Sequence, residues 1–365
     1  MDKTLLFAQQ KTNSQMSKYL NLKVKEVIKE TEEAITLVFE KGKFNYKPGQ
    51  FLTLLLTVHG EKIRRSYSLC SAPGIDEYSA ITIKRVVNGK ASNFLADKIK
   101  SGDVIEVMEP AGTFTTEVNS KNKRNIVLIG AGSGITPLMG IAKAVLGNEP
   151  NSTVFMIYGN RNENTIIFKN QIAQLENKFV NRFKANHILS QPSSSWTSHK
   201  GRLSQSEVIK LIEEFPKFDL KSAEYFICGP EGMMDAAQNA LQLLNVPKEK
   251  VRKESFVSST ASPDSGKVVS YDANAPQEVT VYYQGTEYKF TVPPKSSILE
   301  AALKKDIDLP FSCQSGMCTA CMGKCKSGKV HLDNPDGLSD VEIEQGFVLT
   351  CVGYPVSSDV VIEID

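Results

Sequence analysis

Four cysteines constrain this chain most tightly. Cys313, Cys318 and Cys321 follow the spacing C-x4-C-x2-C, and Cys351 stands alone far downstream. That is a ligand spacing of [2Fe–2S] centres. Between the first three lie Ser315, Gly316, Thr319 and Ala320, small residues that allow a loop to turn its backbone N–H groups inward toward cluster sulfurs. A four-cysteine zinc site is the alternative, but structural zinc sites commonly present two close C-x2-C pairs, and Val348-Leu349-Thr350-Cys351 supplies a single cysteine. The chain is therefore expected to handle single electrons. Cys325, a fifth cysteine nearby, has no place in the four-ligand spacing and reads as a small, partly buried side chain.

With 365 residues the chain has room for two or three domains, each with its own core. The net charge of +2 comes from interspersed lysines and acids, which argues against a nucleic-acid surface or a membrane-binding face. No apolar run approaches the roughly 18 to 20 residues that span a bilayer, so membrane insertion is not expected. Residues Met1 to Lys18 carry a short Leu5-Leu6-Phe7-Ala8 run without a cleavage pattern and read as a frayed leader. Of seven cysteines, the cluster leaves Cys70, Cys228 and Cys325, an odd remainder that argues against a disulfide framework. A reducing cytoplasm is the expected compartment.

From Leu22 to about Val118 short apolar runs alternate with Gly, Pro and Asn, notably Ala34 to Phe39, Phe51 to Val58, Ala80 to Val86 and Val104 to Met108. Such punctuation predicts an antiparallel barrel. From Asn125 the rhythm changes to strand and helix in alternation. Strands are expected at Ile126 to Ile129, Thr153 to Tyr158, Ala185 to Leu189, Tyr225 to Cys228 and Val251 to Phe256. This pattern predicts a parallel sheet covered by helices. A polar stretch between Val257 and Gln277 reads as a linker. The expected division is a leader at residues 1–20, a barrel at 21–120, a nucleotide domain at 121–257, a linker at 258–277 and a cluster domain at 278–365.

Gly130-Ala131-Gly132-Ser133-Gly134-Ile135-Thr136-Pro137 falls between a strand and a helix. Glycines there let backbone approach a pyrophosphate, the helix start offers unpaired N–H donors, and Pro137 suits a first helical turn. A plain tight turn is the alternative. The spacing departs from the ordinary dinucleotide fingerprint and resembles the pyridine-nucleotide domain of the ferredoxin–NADP reductase superfamily. Arg65-Ser66-Tyr67-Ser68 resembles that family's flavin motif, which implies that Arg65 meets the flavin pyrophosphate while Tyr67 and Ser68 lie against the isoalloxazine. A guanidinium fork suits phosphate oxygens and an aromatic ring stacks on a flat heterocycle. Lys90-Ala91-Ser92, after the turn at Asn88-Gly89, resembles the second flavin segment, with Ser92 expected to reach phosphate. Two phosphate-binding pieces favour FAD over FMN.

Cys228-Gly229-Pro230 resembles the segment beside the nicotinamide, so Cys228 is expected to position the hydride site sterically. Thr136 and Tyr67 are the other candidates for catalytic residues, and Gly132, Gly134, Thr136, Pro137, Gly229 and Pro230 are candidates for holding the nucleotide. Glu254-Ser255-Phe256 resembles the end of the reductase unit, where Phe256 would cover the flavin until nicotinamide displaces it. Arg161, Arg202 and Ser190 lie where relatives grip a 2′-phosphate, favouring NADPH. Glu163 points the other way, since an acid suits the free ribose hydroxyl of NADH.

Residues Gln277 to Asp365 resemble a plant-type ferredoxin domain, with further matches at Leu309-Pro310-Phe311-Ser312, Gly328-Lys329-Val330 and Leu338. The chain as a whole resembles reductase components of multicomponent oxygenases, the phenylacetyl-CoA epoxidase reductase type in particular. The resemblance implies a flavin-binding antiparallel β-barrel, a parallel-sheet nucleotide domain and a C-terminal β-grasp ferredoxin domain. It also implies electrons passing from NAD(P)H through FAD to the cluster and on to an iron-containing oxygenase or another protein acceptor. A reductase serving a desaturase, or a redox-sensing protein without turnover, are the alternatives. Asp306, Asp308 and Asp333 are candidates for an acidic docking face, or simply solvated acids.

Overall fold

The computed structural model describes residues 19–41, 44–256 and 275–364. The expected leader, apart from its last two residues, and most of the expected linker lie outside the described residues.

The first sheet contains β1 (Tyr19–Thr31), β2 (Ala34–Phe39), β3 (Phe51–Val58), β4 (Glu61–Ser68), β5 (Ala80–Lys84) and β6 (Val104–Met108), with α1 (Lys90–Lys98) between the last two. Their order is β4-β3-β6-β1-β2-β5, with antiparallel neighbours throughout. A Leu69↔Ile81 bridge ties the end of β4 to β5 and closes the sheet on itself. Leu37, Phe39, Leu52, Leu54, Ile83 and Val107 fill the interior, and α1 adds Ala91 and Leu95. Closure removes the exposed edges that an open sheet would present.

The second sheet is parallel. It contains β7 (Asn125–Ala131), β8 (Thr153–Asn160), β9 (Phe183–Leu189), β10 (His199–Lys200), β11 (Glu224–Cys228) and β12 (Val251–Glu254) in the order β10-β9-β8-β7-β11-β12. The covering helices are α2 (Ile135–Asn148), α3 (Lys169–Lys178), α4 (Gln205–Glu213) and α5 (Glu231–Leu243). Ile126 and Leu128 belong to the core formed with α2 and α3, whereas Val127 and Ile129 belong to the core with α4 and α5. Alternation along β7 thus supplies both layers, as a doubly covered sheet requires. Ala34, Cys70 and Phe114 of the barrel region join the α2 core. The two units therefore share apolar packing.

The third unit has β13 (Gln277–Tyr283), β14 (Thr286–Val292), β15 (Met322–Ser327), β16 (Val330–Leu332), β17 (Phe347–Leu349), β18 (Gly353–Pro355) and β19 (Val360–Ile364), with α6 (Ile298–Leu303) and α7 (Asp340–Glu344). Its main sheet runs β14-β13-β19-β15-β17, parallel at β13–β19 and antiparallel elsewhere, and β16 pairs with β18 apart from it. Helix α6 lays Ile298, Leu299, Ala301 and Ala302 on this sheet. The cysteine loop lies between α6 and β15.

Two differences from the sequence reading have physical causes. Strand β1 begins at Tyr19 and carries register shifts at Val24/Glu26 and Lys29/Thr31, which break the period of two that alternation would reveal. The last nucleotide-domain strand stops at Glu254, leaving Ser255 and Phe256 beyond it, and Phe256 is 40% exposed.

Candidate redox site

Register places three residues side by side. Cys228 pairs with Gly130 on β7 and with Glu254 on β12, so all three stand at the same level at the C-terminal ends of neighbouring parallel strands. Ligands of open α/β sheets bind at this end. The turn after β7 must run directly over the row. A Cβ on Gly134 would lie 2.0 Å from the Cys228 carbonyl oxygen, so no larger residue fits there without moving backbone. Pro230 caps α5 immediately after the cysteine, and Gly229 is buried between them.

Cys228 is fully buried, and burial first, then the nearby Glu254, pushes its thiol well above the usual range. It is a packed, neutral thiol at this level of the sheet, not a thiolate. Glu254 was named in the sequence only as a neighbour of Phe256, yet its carboxyl is the most perturbed acid here. It sits deep between two units, though part of its surface reaches solvent, and burial raises its pKa to about 8. Ser68 Oγ donates to Glu254 Oε2 at 3.4 Å across the barrel–nucleotide boundary. Sequence reasoning missed Glu254 because a lone acid at a strand end carries no signal until the register puts it beside Cys228.

The flavin-motif residues line β4. Arg65 is exposed, Tyr67 is partly buried against the barrel core, and Ser68 is buried. Burial pushes the Tyr67 phenol up and Arg65 opposes it, so Tyr67 presents a neutral ring. Helices α1 and α2 both begin at glycines, Gly89 and Gly134, without a side-chain cap. The first N–H groups of α1 are open to phosphate oxygens, which fits a flavin carrying a pyrophosphate, whereas at α2 the Ile135 N–H is already engaged by Gly132 O of the turn. Ala91 and Ser92 are buried, and Ser92 Oγ accepts from Val86 N at 3.1 Å, closing the turn before the helix. Lys90 Nζ is paired with Glu61 at 2.6 Å. Thr136 Oγ1 donates to Ser133 O at 2.9 Å within its own turn, and Pro137 is buried in the first turn of α2. The Thr136 hydroxyl is thus engaged in shaping the Gly132–Gly134 loop.

Arg161, Ser190 and Arg202 are exposed just past β8, β9 and β10, three adjacent strands at the same sheet end. Backbone bonds Ser190 N to Asn160 O and Gln191 N to Arg161 O join the first two loops. Glu163 is turned onto Ser193, accepting from its N–H at 3.1 Å and its hydroxyl at 2.5 Å. A cleft of about 490 Å³ at the opposite sheet end is lined in part by Arg124, Glu224 and Arg252. Those charges are paired with one another, and the cleft lies at the sheet end away from Gly130, Cys228 and Glu254.

In the third unit the four cysteines converge. Cys313 is drawn down by its neighbours Cys318 and Cys351, and Cys321 by Cys351. The same pairings, with burial, push Cys318 and Cys351 up. Among the described residues no three His, Cys, Asp or Glu side chains surround a single metal ion. A [2Fe–2S] cluster, whose four thiolates are shared between two irons, makes no such demand. The loop fits the cluster in two further respects. Gly316 N–H points to Cys351 sulfur at a φ of 74° that favours glycine, and buried Ser315 Oγ lies beside Cys313 with no partner at ordinary hydrogen-bond geometry. Cys325 Sγ instead faces Ser327 O at 3.2 Å. Cys70 is buried among Ala80 O and Thr82 Oγ1, each 3.3 Å away, and burial raises it to about 11.

Comparison with known proteins agrees with this geometry. Residues 11–116 match an oxidoreductase FAD-binding domain, 128–239 an oxidoreductase NAD-binding domain and 281–356 a 2Fe-2S iron-sulfur cluster binding domain. The chain is 33% identical over 356 residues to a 1,2-phenylacetyl-CoA epoxidase subunit from Escherichia coli K12, covering 96% of this chain and 99% of that one. It is 35% identical over 361 residues to the ferredoxin reductase component of 3-ketosteroid-9-alpha-monooxygenase from Mycolicibacterium smegmatis, covering 96% and 98%. The chain belongs to the oxygenase reductase components. This reductase shares its fold with phthalate dioxygenase reductase, a modular structure for electron transfer from pyridine nucleotides to [2Fe–2S]. The TM-score is 0.57 at 23% identity, over 95% of this chain and 98% of that one. The reductase is an oxidoreductase of the ferredoxin reductase type, with FAD, NAD(P)H and a [2Fe–2S] cluster as its redox groups and an oxygenase as its acceptor. No helix among the described residues is long and apolar enough to cross a membrane.

Two experiments check the site. Glu254 has a folded pKa raised above its unfolded value of about 4.5, so the folded chain holds the extra proton between these values. Stability is full below pH ~4.5 and falls as pH rises toward 8. Thermal unfolding of the cofactor-free reductase should show that decline between pH 5 and pH 8, and Glu254→Gln should flatten it. In the second, Cys325→Ser should keep the electron paramagnetic signal of a reduced [2Fe–2S] centre and Cys318→Ser should lose it; loss in the Cys325 variant would mean that the ligand set is misassigned.

Proposed function

We propose that the reductase draws its electrons from NADPH and passes them from the cluster to an iron-containing oxygenase component in the cytoplasm. The observation that carries the nucleotide choice is the convergence of Arg161, Ser190 and Arg202 at adjacent strand ends. Two guanidinium groups and a hydroxyl suit a 2′-phosphate. Glu163, the acid whose position in the sequence favours a free ribose hydroxyl, is engaged by Ser193, and Arg161 Nη1 itself lies 3.8 Å from Glu33 Oε1.

When bound, FAD accepts the hydride pair of electrons and the cluster releases them singly, and the protein supplies orientation and shelter. The exposed Arg65 and the open start of α1 would hold the flavin pyrophosphate and Tyr67 would bear on its ring, whereas Ser68 takes the other face of β4 and bonds Glu254. The loop from Gly132 to Gly134 and the start of α2 hold the nucleotide pyrophosphate. Cys228, held rigidly by the parallel register, sets how close the nicotinamide comes. Phe256, exposed at the end of the unit, covers the ring system until the nucleotide enters. Glu254 stays mostly protonated at neutral pH, which keeps a negative charge away from the incoming hydride.

Names of relatives support the acceptor. One serves phenylacetyl-CoA epoxidase and another a ketosteroid monooxygenase, and an oxygenase that activates O2 with iron fits a cluster that delivers single electrons. Steady-state kinetics of Arg161→Ala test the nucleotide assignment. KM for NADPH should rise at least tenfold with little change for NADH, and equal effects on both would remove the phosphate contact.

A further inference from the structure

The ferredoxin unit is tethered in sequence to the end of the nucleotide unit, after Glu254 of β12, whereas the flavin motif lies on the barrel. The geometry between flavin strand and cluster loop therefore rests on noncovalent contacts. One of them is specific. Arg64 Nη2 donates to Asp308 Oδ1 at 2.7 Å and lies 3.4 Å from the Tyr19 hydroxyl, which itself donates to Asp308 Oδ2. The guanidinium also lies over the Phe311 ring, 4.2 Å from its centroid. Arg64 is 16% exposed and Asp308 41%. Asp308, read from sequence as a candidate for external docking, is thus turned onto the chain's own barrel.

Position makes this contact more than packing. Arg64 directly precedes Arg65 of the flavin motif, and Phe311 is separated from the cluster ligand Cys313 by Ser312 alone. Period two along β4 sends Arg64 to the face opposite Arg65 and Tyr67, so one strand joins the flavin-motif residues to the cluster loop. The arrangement is not an optimal stability device, because Arg64 Nη1 is buried without a partner, a desolvation cost that a purely structural contact would avoid.

We propose that Arg64 is a positioning residue for the flavin-to-cluster step, holding the cluster loop against the flavin strand through Asp308, Tyr19 and Phe311. Each NAD(P)H brings two electrons and the cluster takes one at a time. Two one-electron transfers cross this contact per nucleotide: in each the flavin would lose one electron and the cluster gain one, with the protein acceptor reoxidising the cluster between them and the flavin's protons returned to water. Transfer rates fall steeply with separation, so a small displacement here acts on this step and not on hydride transfer, whose groups lie around Cys228.

Anaerobic stopped-flow of the holoenzyme separates the two steps. In Arg64→Met and Asp308→Asn, flavin bleaching by NAD(P)H should stay within twofold of wild type, and ferricyanide reduction directly from flavin should do the same. Cluster reduction should slow tenfold or more. The charge swap Arg64→Asp with Asp308→Arg should recover most of that rate. Small-angle scattering of the resting protein supplies a reading independent of turnover: the single variants should have a larger radius of gyration and the swap should reverse it. Unchanged cluster reduction in Asp308→Asn, or equal slowing of flavin bleaching and cluster reduction, would overturn the proposal.

Discussion

Side chains of a strand point alternately to opposite faces, and on β4 this divides one short segment among three units. Arg65 and Tyr67 take one face and match the flavin motif. Arg64 and Ser68 take the other, where Arg64 meets Asp308 of the ferredoxin unit and Ser68 meets Glu254 of the nucleotide unit. A slip of one residue in the β3–β4 register would exchange these faces and disconnect all three units at once. Eight paired positions from Phe51↔Ser68 to Val58↔Glu61 hold that register.

The second constraint is the level row Gly130, Cys228 and Glu254. Parallel pairing fixes it without any contact among the side chains, and the glycine turn above it leaves no room for a Cβ at Gly134. The geometry of this row is thereby set by backbone, which is stiffer than side-chain packing. The perturbed carboxyl of Glu254 follows from the same placement, since the end of β12 is carried under the barrel and away from water.

What the sequence made legible was whatever repeats or is spaced. The cysteine spacing singled out the loop between α6 and β15, and the runs Ala34 to Phe39, Phe51 to Val58 and Val104 to Met108 coincide with β2, β3 and β6. Strand β4 escaped the hydrophobic pattern because its outer face serves other domains and carries Arg64 and Ser66 where a surface strand would alternate with core residues. It was visible only as a motif. Glu254 and Asp308 were unreadable for a related reason: each acquires its role from a partner far away in sequence, Ser68 for one and Arg64 for the other. Ser92 and Thr136 were placed in the right turns, but local hydrogen bonds to Val86 and Ser133 engage their hydroxyls.

The central claim is an order of events, nucleotide to flavin to cluster, imposed by where β4 sits. Its most direct measurement uses full-length reductase from which flavin has been removed while the cluster is retained. NAD(P)H added without oxygen should leave the cluster's electron paramagnetic spectrum silent, and restoring FAD should bring up the reduced [2Fe–2S] signal after flavin bleaching and not before it. A cluster that NAD(P)H reduces in the absence of flavin, or ahead of its bleaching, would contradict the account.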